Sequence, residues 1–180
     1  MSERIIRHLD SEGLWTYALR ALSSRAHSTR ELRDKLRRRA ARAEDIDAVL
    51  ARLAASGYLN DRRFAEGFAA ARLAGEGFGS RRVIRDLRRR QVAPALAEQT
   101  VQQVYQSVDE TALIEEWIRR KYRTAPREGL FQEDKDLARA YGRLLRAGFR
   151  PGEIVRVLKR FTKNPDLLDS FEPPPELADK

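Results

Sequence analysis

The sequence predicts an all-α protein, an elongated array of three tandem three-helix repeats, and three observations carry this prediction. A set of apolar positions between residues 30 and 53 recurs 51 positions later and again 57 positions after that. Apolar residues recur at helical spacing, and no segment alternates with period two for long enough to indicate a strand. Capping residues stand at suitable places around the predicted helices. Self-similarity at a fixed period is typical of stacked supersecondary units.

The recurring positions give the register of the repeats. Each repeat has about 50 residues, which is close to the lower limit for independent folding, so neighbouring repeats are expected to pack together. The positions are Leu32, Leu36, Ala41, Ile46, Leu50 and Leu53, then Val83, Leu87, Val92, Ala97, Val101 and Val104, and finally Ala140, Leu144, Phe149, Ile154, Leu158 and Phe161.

The expected domain organisation follows from this register and from the composition at the two ends. A polar lead-in is expected to occupy residues 1–13. The repeats are then predicted to span residues 14–59, 60–108 and 109–163. Residues 164–180 form an acidic, proline-rich tail with a net charge of −4, a composition typical of disorder.

In the first repeat, a helical apolar stripe begins at Leu14. The second helix is expected to begin after Ser28, because Glu31 follows three residues later and the pair has the spacing of a capping box. The third helix carries the apolar residues of 46–53 and ends before Gly57, a suitable residue just beyond a helix C-terminus.

In the second repeat, either Asn60 or Asp61 can cap the first helix. The glycine-rich segment 75–79 breaks that helix, and Ser80 can cap the next one. Pro94 suits the first turn of the last helix of the repeat.

In the third repeat, Trp117 takes the place of Phe68 in the first helix, and Pro151 matches Pro94 in register. The longer offset of 57 requires about eight additional residues between helices. The sequence places them within residues 124–133.

The net charge of the chain indicates a polyanionic partner. The 36 Lys and Arg exceed the 27 Asp and Glu, which gives a net charge of +9 and a pI near 10.3. Such an excess is typical of proteins that meet a polyanion. There is no cysteine, and neither a signal-peptide pattern nor a long apolar run is present. A cytoplasmic protein without a membrane partner is therefore expected, and it is expected to be a monomer.

Two basic runs are the candidate binding regions. Residues 28–42 hold seven basic and two acidic side chains, and residues 80–90 hold six and one. Within each run three arginines stand at i, i+3 and i+7, so each trio is expected to line one face of a helix and to meet phosphate or carboxylate. The alternative is an ordinary solvated face. The candidate residues are Arg30, Arg33, Arg37, Arg38, Arg81, Arg82, Arg85, Arg88 and Arg89.

Residue types that carry catalysis or bind metals are poorly arranged in this chain. The two histidines, His8 and His27, lie on different segments and have no carboxylate at ligand spacing, so no metal is expected. The glycines of 75–79 are not followed by the Lys of a phosphate-binding loop, so they are expected to form a linker between helices. No nucleophile stands with a base and an orienting group, so neither catalysis nor a cofactor is predicted.

Three stretches of the sequence, together with the glycine-containing linker before Arg81, resemble a known family. The stretch 17–20 with residues 28–36, and above all residues 57–65, Gly-Tyr-Leu-Asn-Asp-Arg-Arg-Phe-Ala, resemble the RecX family of bacterial regulators of the RecA recombinase. The resemblance covers about residues 14–163. Its motif residues are expected to have mainly structural roles, with Tyr58 packing back beneath the helix end. They are Gly57, Tyr58, Leu59, Asp61 and Phe64.

The resemblance implies a protein that binds within the groove of the RecA filament on DNA and bridges neighbouring protomers. It would thereby limit filament extension, ATP hydrolysis, strand exchange and the co-protease activity that triggers the SOS response. The residues themselves leave a rival open, a stand-alone DNA- or RNA-binding protein whose units act as helix-turn-helix modules. Weak direct binding to DNA is compatible with either function.

Overall fold

The structure is a computed structural model that describes residues 8–122, 130–131 and 133–162. These residues form nine α-helices and no β-strand, so the all-α prediction is confirmed. The acidic tail and most of the predicted insertion at 124–133 lie outside the described residues. The helices are α1 (Ser11–Ser24), α2 (Thr29–Arg37), α3 (Glu44–Ala55), α4 (Asp61–Glu76), α5 (Ser80–Arg89), α6 (Pro94–Tyr105), α7 (Glu110–Lys121), α8 (Asp134–Arg146) and α9 (Pro151–Leu158).

The chain divides into two compact units. Unit 1 comprises Met1–Phe68 and Asp86–Thr100, and unit 2 comprises Ala69–Arg85 and Val101–Lys180. Helices α1–α3 belong to unit 1 and helices α7–α9 to unit 2. Each of the helices α4, α5 and α6 contributes one part to unit 1 and the other part to unit 2.

Helices α1, α2 and α3 enclose a single apolar core in unit 1. Ser28 caps α2 with the complete capping box that the sequence predicts, since its side chain accepts from the Glu31 N–H while Glu31 reaches back to the Ser28 N–H. Gly57 follows α3 with a φ of 72°, the left-handed conformation suited to a residue beyond a helix end. The buried core residues are Leu14, Ala18, Leu32, Leu36, Ile46, Val49, Leu50, Leu53 and Leu59.

Helix α1 begins earlier than the apolar stripe indicates. The Asp10 side chain accepts from the Gly13 N–H and caps the helix, so α1 starts at Ser11. Just before it, the Leu9 N–H donates to the Arg39 carbonyl at 2.7 Å, and the Ala41 N–H donates to the Leu9 carbonyl at 2.9 Å. The end of the predicted lead-in is therefore hydrogen-bonded to the turn after α2.

The core of unit 2 contains apolar residues from α7, α8 and α9. Helix α9 begins at Pro151, as the sequence predicts, because proline lacks an N–H that the first helical turn would leave unbonded. The buried residues are Ile114, Ile118, Phe131, Leu137, Ala140, Tyr141, Leu144, Ala147, Phe149, Ile154, Val157 and Leu158.

The recurring apolar positions are buried, with three exceptions. Val104 and Phe161, which close the second and third sets, are only half-buried. Ala41 is exposed, so the expectation that it enters the core is wrong. Its backbone N–H is held by Leu9 at the surface, and a methyl group contributes little apolar area to a core in any case.

A close backbone contact in unit 2 requires two glycines. A Cβ on Gly79 would lie 2.3 Å from the carbonyl carbon of Gly148, and a Cβ on Gly148 would lie 2.3 Å from the backbone nitrogen of Arg82. Two hydrogen bonds accompany the contact, from the Gly79 N–H to the Ala147 carbonyl and from the Arg81 N–H to the Gly148 carbonyl. Gly148 also has a φ of 93°, which side chains disfavour.

We expect Gly148→Ala to lower the free energy of unfolding by roughly 3 kcal/mol, because the added Cβ meets backbone atoms at a positive φ. Urea unfolding followed by circular dichroism measures the loss. Gly152→Ala is the matched control, since Gly152 lies in α9 with nothing within 4 Å of an added Cβ. It should leave stability unchanged or raise it by up to about 1 kcal/mol. Equal unfolding midpoints for the two variants would contradict the close contact.

Candidate functional site

Arginines from both basic runs meet at a concave surface of unit 1. Arg30 and Arg37 of α2 and Arg88 of α5 line a cavity of about 700 Å³. The other lining residues are Asp34, Gln91, Val92 and Pro94, and we call this surface the cationic cleft. Helix α6 begins at Pro94, so the positive end of its dipole lies at the same cleft. The cleft is therefore a suitable place for a phosphate or carboxylate group.

Only two arginines of the first trio line the cleft. Arg30 and Arg37 are among its lining residues, whereas Arg33 is not, although it lies within one helical turn of Arg30 on the same side of α2. Arg33 donates instead to the Asp47 carboxylate of α3. The expectation that all three arginines line one binding face is therefore wrong for Arg33.

Several of the candidate arginines remain available to a ligand. Arg30, Arg38 and Arg89 are exposed, and their side chains have no hydrogen-bond or ion-pair partner among the described residues. Arg37 is 69% exposed and lies 4.0 Å from Asp34, a contact that is weak in water. Arg88 is about half exposed and donates to Glu98 of α6.

The second trio does not form one open face either. In unit 2 the Arg82 guanidinium stacks over the Phe78 ring at 3.8 Å from its centre, and Arg85 donates to the Arg146 carbonyl at 3.2 Å, at the C-terminal end of α8. Both contacts are structural, and the sequence spacing could not reveal them. Arg81 is exposed.

A half-buried ion pair between Glu31 and Arg90, which the sequence patterns did not reveal, supports the cleft. Arg90 binds Glu31 in a bidentate manner, with Nε 2.5 Å from Oε1 and Nη2 3.1 Å from Oε2. The Ser28 hydroxyl donates to the Arg90 carbonyl at 2.6 Å, and the next residue, Gln91, donates to Asp34 at 3.0 Å. The start of α2 and the end of α5 are thereby fixed together, which sets the spacing of the arginines across the cleft.

The charge of Glu31 is favoured by its surroundings. Burial alone would raise the pKa of the Glu31 carboxyl, whereas the hydrogen bond and charge of Arg90 lower it. The charge of Arg25 and the Ser28 N–H act in the same direction, so the pKa lies below its ordinary value. Glu31 is therefore ionised at neutral pH and keeps both arginines in place.

No group of three His, Asp or Glu side chains suited to a metal ion occurs in the part of the chain that the structure describes. In the same part, no helix combines the length and apolarity that crossing a membrane requires.

Comparison with known proteins identifies the family. The family model for the first three-helix domain of RecX matches residues 15–53, and the model for the second three-helix domain matches residues 60–101. Regulatory protein RecX of Trichlorobacter lovleyi is 33% identical over 141 residues, which cover 78% of this chain and 90% of that protein. The chain belongs to the RecX family. Regulatory protein RecX of Streptomyces lividans is 34% identical over 143 residues, covering 79% of this chain and 73% of that protein.

Solved RecX structures have the same fold. The crystal structure of RecX from Lactobacillus salivarius superposes with a TM-score of 0.64 at 19% identity, covering 84% of this chain and 96% of that one. A second crystal structure of regulatory protein RecX gives a TM-score of 0.61 at 15% identity, with 83% and 73% covered. The helical architecture is therefore retained at low sequence identity.

The RecX-like motif connects the end of α3 to α4. The Asp61 carboxylate accepts from the Thr29 N–H at 2.7 Å and from the Thr29 hydroxyl at 3.0 Å, which holds the start of α4 against the start of α2. Leu59 enters the core and Phe64 is half-buried. Asn60, rather than Asp61, accepts from the Arg63 N–H in the capping position of α4.

Tyr58 does not pack back beneath the helix end, so that expectation is wrong. The side chain is 56% exposed and meets the Trp15 ring edge-on, with the ring centres 6.4 Å apart. The positive φ of Gly57 redirects the chain so that Leu59, the residue after Tyr58, reaches the core. Tyr58 is left at the surface.

His27 lies buried beside Glu31. Burial lowers the pKa of His27, and the charges of Arg25 and Lys35 lower it further, against the opposing effect of Glu31. Nδ1 of the ring lies 3.4 Å from Oε2 of Glu31. The neutral imidazole is therefore the form that the folded state prefers.

We expect the lowered pKa of His27 to make the protein less stable as the pH falls from about 7 to about 5. In that range the unfolded chain, with an ordinary histidine pKa of about 6.5, takes up a proton that the folded state resists. His27→Gln should flatten this dependence in urea titrations at successive pH values. His8→Gln is the control, because His8 is exposed. A wild-type slope retained in His27→Gln would contradict the assignment.

Proposed function

We propose that the chain binds the RecA filament on DNA, within its groove, and inhibits RecA. Filament extension, ATP hydrolysis, strand exchange and co-protease function are the activities it would limit, and the result is modulation of recombinational repair and of the SOS response. Membership of the RecX family supports this function. The observation that carries the binding mechanism is the convergence of Arg30, Arg37 and Arg88 on one cleft.

The cleft has the chemistry that such a function requires. Guanidinium groups bind carboxylates and phosphates through paired N–H donors, and a filament on DNA offers both. Three arginines and one aspartate line the cleft, so it attracts anions. We propose that Arg30, Arg37, Arg38, Arg88 and Arg89 make the contacts, and that Arg33, Arg82 and Arg85 hold the fold through their intramolecular partners.

The proposed mechanism is binding without catalysis. The protein would act as a cytoplasmic monomer that needs no cofactor. In this mechanism three tandem repeats, which we assign to residues 14–59, 60–108 and 109–163, contact successive RecA protomers. A protein that bridges protomers affects many of them at once and is therefore effective at low ratios.

The rival function is a stand-alone DNA- or RNA-binding protein. It is favoured by Arg30 and Arg89, which are exposed and have no side-chain partner within the described ranges. The two functions differ in how strongly the affinity for DNA depends on salt concentration. Phosphate contacts release counterions, so affinity for bare duplex would fall steeply with salt and each arginine lost would reduce the slope by about one.

We expect the full-length chain to inhibit ATP hydrolysis by RecA on single-stranded DNA at well below one molecule per RecA protomer. A titration at fixed RecA and DNA measures this directly. Excess DNA should leave the inhibition intact, because a filament-directed regulator does not act by sequestering DNA. No inhibition, or inhibition relieved by added DNA, would move the assignment to the rival function.

The triple variant Arg30→Ala, Arg37→Ala, Arg88→Ala tests the role of the cleft in the same assay. We expect at least a tenfold rise in the concentration needed for half-inhibition, equivalent to about 1.4 kcal/mol. The variant Arg20→Ala, Arg62→Ala, Arg139→Ala removes the same charge from exposed positions outside the cleft and should stay within about twofold. Equal losses in both variants would show that only net charge matters.

A further inference from the structure

Unit 1 has a second concave surface that shares no residue with the cationic cleft. The end of α1, the turn after α3 and the first two turns of α4 enclose a cavity of about 790 Å³. Large apolar side chains line it, all of them half-buried except the more exposed Tyr58. They are Leu19, Leu22, Tyr58, Phe64 and Phe68, and we call this surface the apolar groove.

A glycine lies between the two aromatic residues of α4 that line the groove. Gly67 lines it on α4, and a Cβ added there would meet nothing within 4 Å. On either side of this gap, Phe64 and Phe68 stand one helical turn apart with ring centres separated by 6.0 Å. The concave surface between these apolar side chains has the shape that receives the apolar face of another molecule.

The rim of the groove is cationic. The charged residues that line it are Arg25, Arg63 and Arg90, and no Asp or Glu is among its lining residues. Glu31, which pairs with Arg25 and Arg90, lies behind the rim with only 13% of its side chain exposed. One carboxylate is thus shared by two arginines, and the surface keeps an excess of positive charge.

Several contacts fix Arg90 beside the groove. Besides its bidentate bond to Glu31, it donates to the Ala26 carbonyl at 2.8 Å. Its guanidinium carbon lies 5.1 Å from the ring centre of Phe64 and 5.8 Å from that of Phe68, within the range of cation–π attraction. A side chain fixed in this way loses little conformational entropy on binding.

We propose that the apolar groove binds a short amphipathic segment of a partner protein, with leucine or aromatic side chains on one face and acidic residues beside them. The apolar side chains would lie against Phe64 and Phe68, as in other helix-in-groove complexes, while the carboxylates meet the arginine rim. A bilayer surface fits less well, since membrane-binding faces insert protruding apolar side chains and here most are half-buried in a concavity.

The test uses the full-length chain, without RecA or DNA, and a fluorescein-labelled peptide of three helical turns. Leucine and phenylalanine occupy the i, i+3, i+4 and i+7 positions of the peptide, and glutamate occupies the others. One control peptide has lysine in place of glutamate, and a second has alanine in place of the apolar residues. Fluorescence anisotropy measures affinity. Only the first peptide should bind, and added salt should weaken its binding.

Two pairs of variants locate the binding. Gly67→Glu places an acidic side chain in the groove. Gly75→Glu is its control, because Gly75 also lies on α4 and an added Cβ there also meets nothing within 4 Å, but Gly75 does not line the groove. Arg63→Glu reverses a rim charge, and Arg62→Glu reverses the neighbouring exposed charge that does not line the groove. We expect at least a tenfold loss of affinity for Gly67→Glu and Arg63→Glu, and less than about twofold for their controls. Thermal unfolding measurements check that each variant is folded.

Several results would overturn the proposal. They are no binding of the glutamate peptide, equal binding of the lysine peptide, or equal losses in a variant and its control. Binding of vesicles of phosphatidylglycerol and phosphatidylcholine that Gly67→Glu abolishes, without peptide binding, would assign the groove to a membrane. Peptide binding that requires removal of residues 164–180 would assign it to the chain's own acidic tail. None of these outcomes bears on the inhibition of RecA, which the ATP hydrolysis assay measures separately.

Discussion

The pairing of Glu31 with Arg90 is the interaction on which both candidate surfaces of unit 1 depend. Glu31 stands in the first turn of α2, and Arg90 follows directly after α5. On one side, the pair fixes the distance between the helices that carry the arginines of the cationic cleft. On the other, it holds Arg90 against the aromatic rings that line the apolar groove. A salt bridge that looks structural thus positions two surfaces of different chemistry.

The helices and the cores were predictable from the sequence because local rules determine them. The capping box at Ser28 and the glycine after α3 satisfy backbone groups within about one turn of the chain, and the proline at the start of α9 removes an N–H that would have no helical partner. The burial of the recurring apolar positions was predictable for the same reason, since helical periodicity alone decides which side of a helix faces the core. The exposed Ala41 departs furthest from this pattern, and its N–H is bonded to Leu9, a residue distant in the sequence.

The directions of the arginine side chains were not predictable, because a guanidinium takes its partner from whichever element lies nearby. Arg33 turns to Asp47 of α3, and Arg85 reaches the C-terminal end of α8. The spacing i, i+3, i+7 identifies residues near one another on a helix but does not identify what the neighbouring helix offers them. The role of Arg90 was not predictable because Arg90 lies outside the i, i+3, i+7 pattern. Its position is determined by its ion pair with Glu31.

The bond between Asp61 and Thr29 has a consequence for the motion of unit 1. The N–H at the first position of a helix ordinarily exchanges with solvent quickly, because the helix itself supplies no acceptor for it. In this chain the Asp61 carboxylate supplies the acceptor, 32 residues away in the sequence. The exchange of this amide proton therefore depends on whether α4 stays docked, and the Thr29 amide is a local reporter of opening between two sequence-distant helices.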